Sequence, residues 1–108
     1  MKLQLTLCSA ALLLASPIAF GDAAELYAKN CTSCHGKDGT GNTKMGKKAG
    51  ARDYTDAKVQ SSFSDAEGLK AIKEGVKKDG KDKMKAFSDK VSDADAKELL
   101  AYIRAFKK

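Results

Sequence analysis

Histidine occurs once in this chain, proline once and cysteine only three times in 108 residues. Each scarcity excludes something. His35 has no second Cys/His cluster to join beyond Cys31 and Cys34, so the four ligands of a structural zinc site are not there. One usable pair of cysteines cannot build a disulfide scaffold, and a bridge across so small a loop adds little stability. No apolar run reaches the about 20 residues that a membrane-spanning helix needs. No stretch alternates convincingly at period two, so no sheet of consequence is expected. The chain also lacks repeats, low-complexity tracts and linkers, which leaves one domain.

What is present begins with a leader. Met1-Lys2 is a minimal positive start, and Leu3 to Ala15 is mostly apolar. Pro17 then breaks any helix, and Ala19-Phe20-Gly21 places small residues where a signal peptidase reads. This pattern is that of a secretory signal peptide over residues 1–21, cleaved after Gly21. Cys8 and Pro17 leave with it. The remaining domain, residues 22–108, has 87 residues and no proline. So small a chain buries proportionately little surface and usually needs a staple. A large apolar cofactor suits that need better than a single disulfide.

Three helices are expected. The first runs from Asp22 to about Asn30, with Ala23, Leu26 and Tyr27 on one face. The second follows Ser64 as N-cap and runs from Asp65 to about Glu74. Its Leu69, Ile72 and Val76 share helical spacing, and Gly75 can end it. The third follows Ser92, with Asp95 completing a capping box. Ala96, Leu99, Leu100, Ile103 and Phe106 form its apolar stripe over most of residues 93–107. A short helical turn is expected after Thr55. The connections are rich in Gly and Lys.

Residues 31–35 read Cys-Thr-Ser-Cys-His, the spacing of covalent haem attachment. Each thiol can add across one porphyrin vinyl group to form a thioether. Two intervening residues on a helical turn let both sulfurs reach both vinyls. The next residue, His35, then lies over the macrocycle and can present a ring nitrogen to iron. Its other ring nitrogen needs an acceptor, usually a backbone carbonyl. A redox-active dithiol would want a strand–helix context that is absent here.

The domain resembles class I cytochromes c over nearly its whole length. The resemblance rests on Cys31-Thr32-Ser33-Cys34-His35-Gly36 and the turn Asp38-Gly39-Thr40-Gly41-Asn42. It extends to Lys83-Met84-Lys85-Ala86-Phe87 and to Glu98-Leu99-Leu100-Ala101-Tyr102-Ile103. It implies an all-α fold, three main helices plus loops wrapped around one covalently bound haem c. It implies that Ala23 and Tyr27 of the first helix meet Leu99 and Tyr102 of the last. It also implies axial ligation by His35 and Met84, and a thioether raises the reduction potential of iron. Met45 is the other methionine of the domain and reads as a surface or packing residue. The family often places proline after the ligand Met, where this chain has Lys85. The family also often uses a proline carbonyl to hold the histidine. Without proline, a residue between Met45 and Gly50 is expected to take that part. Tyr54 or its neighbour Arg52 is a candidate contact of a haem propionate.

These readings converge on a soluble monomer that shuttles single electrons between protein partners and is not an enzyme. The alternative is a five-coordinate gas-binding or sensor protein, should Met84 not ligate. The formal net charge is +6, with much of the excess between Lys73 and Lys90. Lys77, Lys78, Lys81, Lys83 and Lys85 could steer acidic partners. The leader argues against nucleic acid and places the domain in the periplasm, with a thylakoid lumen as the distant alternative.

Overall fold

The computed structural model describes residues 21–108. Residues 1–20 of the expected leader lie outside them. The described chain forms six helices and one short hairpin: α1 Gly21–Asn30, α2 Thr32–His35, α3 Lys44–Ala49, α4 Ala57–Ser61, α5 Asp65–Glu74, β1 Val76–Lys78, β2 Lys81–Met84 and α6 Asp93–Arg104. The fold is all-α in character, as expected.

The helix starts follow local chemistry. The Ser64 hydroxyl accepts from the Glu67 amide at 3.1 Å, and the Glu67 carboxylate accepts from the Ser64 amide at 3.3 Å. Ser92 and Asp95 repeat this reciprocal pair at α6. Each satisfies amides that have no partner inside the helix.

The core lies where α1, α5 and α6 meet. Ala23, Tyr27, Ile72, Ala96, Leu99, Leu100 and Ile103 are buried there. Tyr27 and Tyr102 pack with ring centroids 5.0 Å apart, and Tyr27 lies 5.3 Å from the Phe106 ring. The expected meeting of the first and last helices is therefore present. On α5, a Cβ at Gly68 would come within 2.7 Å of the Leu100 side chain. Glycine there lets α5 lie close against α6.

Arg104 ties the end of α6 to the α4–α5 corner. Its guanidinium donates to the Gln60 carbonyl, to the Phe63 carbonyl at 2.8 Å and to Asp65 at 3.0 Å. It also lies 4.2 Å from the Phe63 ring centroid. Gln60 is buried and donates to Tyr54 O at 2.7 Å and Ile103 O at 2.9 Å. This planar fork of donors is a geometry that arginine supplies and lysine does not.

Three local expectations are corrected. The Gly-Lys stretch containing Met45 is helical: Thr43 caps α3 by accepting from the Gly46 amide at 2.8 Å. Val76 is not on the α5 stripe, because the chain turns at Gly75 and leaves Val76 38% exposed. Residues 76–84 form a two-stranded antiparallel hairpin. Its turn has positive φ at both Asp79 (55°) and Gly80 (75°), the backbone that a two-residue hairpin loop favours.

Leu99 is 1% exposed, so Leu99→Ala is expected to destabilise the domain by about 2–5 kcal/mol. Ser64→Ala removes only a cap and is expected to cost about 1 kcal/mol. Urea unfolding followed by circular dichroism measures both. Equal losses in the two variants would contradict this division between core and surface.

Candidate functional site

The site grows out of the end of α1. The Cys31 amide donates to Tyr27 O at 2.8 Å, and the His35 amide donates to Cys31 O at 2.9 Å. The helical path therefore continues through Cys31 into α2. Cys31, Cys34 and His35 then sit on a single turn. Cys31 is buried, Cys34 is half-buried, and no disulfide joins them. Burial pushes the Cys31 thiol up to about 11, and neighbouring Cys34 adds to the shift.

Backbone and hydroxyl contacts hold this turn from both sides. The buried Tyr27 hydroxyl donates to Gly36 O at 2.7 Å. The Gly41 amide donates to His35 O at 2.7 Å. The Thr43 hydroxyl lies 2.8 Å from both Ser33 O and Cys34 O. A Cβ at Gly46 would meet Gly41 O at 2.5 Å and would overlap Cys34 O. Glycine at the centre of α3 thus lets that helix rest directly on the motif.

His35 is 8% exposed. Its Nδ1 lies 3.3 Å from Arg52 O. With the proton on Nδ1 this is a donated hydrogen bond, and Nε2 keeps its lone pair for a metal. Burial lowers the imidazole pKa below its ordinary value, with the Arg52 carbonyl partly opposing. That shift favours the neutral ring, the form in which an imidazole binds a metal. The acceptor is therefore Arg52, beyond the expected stretch of Met45 to Gly50. Any residue can offer a carbonyl, so side-chain identity carried no signal for it.

Tyr54 stacks on His35, with ring centroids 4.4 Å apart and planes 21° from parallel. Its hydroxyl is 3.4 Å from Nε2. Its amide donates to Gly39 O at 2.8 Å, while Gln60 donates to its carbonyl. Burial pushes the Tyr54 phenol up to about 12. Tyr54 therefore meets the histidine of the motif.

Met84 closes β2. It is half-buried and packs against the apolar cluster that includes Cys31 and Tyr54. Among the described residues no hydrogen bond joins it to His35. Met45 is 55% exposed, which fits its reading as a surface residue. The donor set gathered on this turn is two cysteine side chains and one anchored imidazole. It suits a covalently attached haem: Cys31 and Cys34 would form the thioethers, and His35 would offer a ring nitrogen to the iron. No group of three or more His, Cys, Asp or Glu side chains among the described residues is placed to hold a bare metal ion.

Comparison with known proteins agrees. The profile of the family described as cytochrome c oxidase, cbb3-type, subunit III matches residues 19–103. No curated protein matches. Among solved structures, the KustC0563 c-type cytochrome is 36% identical with a TM-score of 0.72, over 81% of this chain and 99% of that one. A structure described as a tyrosine-to-phenylalanine mutant of Kustc0563 is 34% identical with a TM-score of 0.69, over 80% of this chain and 99% of that one. A turn that displays two thiols and an anchored imidazole thus sits in a fold shared with haem proteins, and the chain belongs to the class I c-type cytochromes, electron-transfer proteins with covalently bound haem c.

Proposed function

We propose that this cytochrome is an exported, soluble carrier of single electrons, with haem bound through Cys31 and Cys34 and iron ligated by His35 and Met84. The observation that carries this reading is the state of His35. Its Nδ1 is occupied by Arg52 O, so the ring can offer only Nε2, in a fixed orientation, to a metal. Haem c supplies the one-electron Fe(III)/Fe(II) couple when bound. The polypeptide supplies attachment, orientation and electrostatics.

Met84 is the better of the two methionines for the second axial position. It packs at the apolar cluster that holds Cys31, while Met45 faces solvent. A thioether is a soft ligand and favours the reduced iron. With both axial positions filled by side chains, no coordination site is left for a substrate, which suits a carrier rather than an enzyme. Loss of the sulfur ligand is expected to lower the potential by a substantial part of the about 0.8 V that axial ligands span. Protein-film voltammetry of Met84→Ala measures this. Reduced Met84→Ala should also bind carbon monoxide readily, and the unaltered protein only reluctantly. Ready binding by the unaltered protein at neutral pH would favour the five-coordinate sensor reading instead.

The hairpin presents Lys77, Lys78, Lys81 and Lys83 to solvent, and exposed Lys85 follows. Asp79 and Asp82 reduce this charge without cancelling it. Such a surface suits acidic redox proteins and speeds their approach. Electron transfer to an acidic protein partner should therefore slow as ionic strength rises. Rates indifferent to salt would contradict a steering role for these lysines.

The leader points to the periplasm. Among the described residues no helix is long and apolar enough to cross a membrane. Cleavage after Gly21 would keep Ala23, which is fully buried, and so preserve the apolar face of α1. N-terminal sequencing of protein purified from the periplasm should begin at Asp22. A purified chain that begins at Met1 would contradict export by cleavage.

A further inference from the structure

Gly75 ends α5 with φ 76° and ψ −176°, a backbone region that is essentially reserved for glycine. That alone would account for a glycine. The contacts add a second constraint of another kind. A Cβ at this position would lie 2.5 Å from Met84 O, 2.9 Å from Ala86 N and 2.9 Å from the Lys85 carbonyl carbon. All three are backbone atoms, so no change of rotamer relieves the overlap. The segment is fastened on either side of this contact. Val76 pairs with Met84 across the hairpin, where the register shifts between Val76 and Lys77. The Phe87 amide donates to Ile72 O, one turn back in α5, at 2.9 Å. The backbone that carries Met84 is therefore laid directly on the C-terminal turn of α5, with room only for a hydrogen at Gly75.

Gly80 provides the contrast. It has φ 75° in the same hairpin, but a Cβ there would meet nothing within 4 Å. Alanine in place of Gly80 carries the strain of a positive φ without the collision.

We infer that Gly75 is a positioning residue for the sixth haem ligand: its missing side chain sets how closely the Met84 backbone approaches α5, and so where the thioether sits. This rests on the reading of Met84 as an axial ligand. The test compares Gly75→Ala with Gly80→Ala in the haem-loaded full chain. The readouts are the sulfur-to-iron charge-transfer absorption of the ferric protein and carbon monoxide binding by the ferrous protein. Gly75→Ala should lose the absorption and bind carbon monoxide readily, while Gly80→Ala keeps the absorption and binds reluctantly. Equal behaviour of the two variants overturns the inference. If the unaltered protein itself lacks the absorption, the ligand assignment falls and the inference falls with it. A band present in the unaltered protein and kept in Gly75→Ala sinks the inference alone.

Should Gly75→Ala not accumulate, the same substitution in a Met84→Ala chain decides the matter. With no ligand bond to preserve, the loop can yield to the new methyl group. The Gly75→Ala, Met84→Ala double variant should then accumulate where Gly75→Ala alone does not. A double variant that fails to accumulate while Met84→Ala does would place the defect in the fold and overturn the inference.

Discussion

One turn of backbone has to hold two sulfurs and an imidazole in a single geometry, and the rest of the domain is arranged around that constraint. The turn between Cys31 and His35 cannot fix itself, because α2 has only four residues and isolated short helices are unstable in water. Its rigidity comes from outside. Tyr27 donates to the carbonyl just after the motif, Gly41 to the carbonyl of His35, and Thr43 reaches the carbonyls of Ser33 and Cys34. Arg52 O then fixes the rotation of the imidazole ring. Two of these four partners, the Gly41 amide and the Arg52 carbonyl, are backbone atoms, which are less mobile than long side chains.

That arrangement explains the division of labour among the helices. α1 and α6 pack through Ala23, Tyr27, Leu99 and Tyr102 and launch the chain into the motif at a defined angle. α5 packs on α6 and carries the hairpin that ends at Met84. The Arg104 fork and Gln60 tie the corner after α4 to the same frame, and Gln60 also holds the Tyr54 carbonyl. The small core of this domain is thus shared between holding helices together and holding the Cys31–His35 turn ready for its cofactor. A covalently bound cofactor then adds the apolar volume that a chain of this length cannot provide for itself.

Much of this was legible in the sequence where a local signal existed. Ser64 and Ser92 announced their helices through side chains that bond to the next turn's amides. The apolar spacing of Ala96, Leu99, Leu100 and Ile103 announced the buried face of α6, and the five residues from Cys31 to His35 announced the cofactor. The signals that were missed are of two kinds. Asp79-Gly80 is a strong hairpin dipeptide, but lysines on both flanks hid the strands, which bury almost nothing. The remaining features are backbone contacts between distant parts of the chain. Arg52 O under His35 and Gly75 against Met84 depend on carbonyls and on a missing Cβ. No residue preference marks such contacts until the fold has brought them together.

The account depends most directly on the covalent grip of Cys31 and Cys34 on a porphyrin. Intact-mass measurement of the purified, denatured protein after treatment with a thiol alkylating agent tests that grip. The account predicts a chain heavier by one haem, with neither Cys31 nor Cys34 alkylated. A colourless chain of polypeptide mass carrying alkyl groups on both cysteines would contradict it.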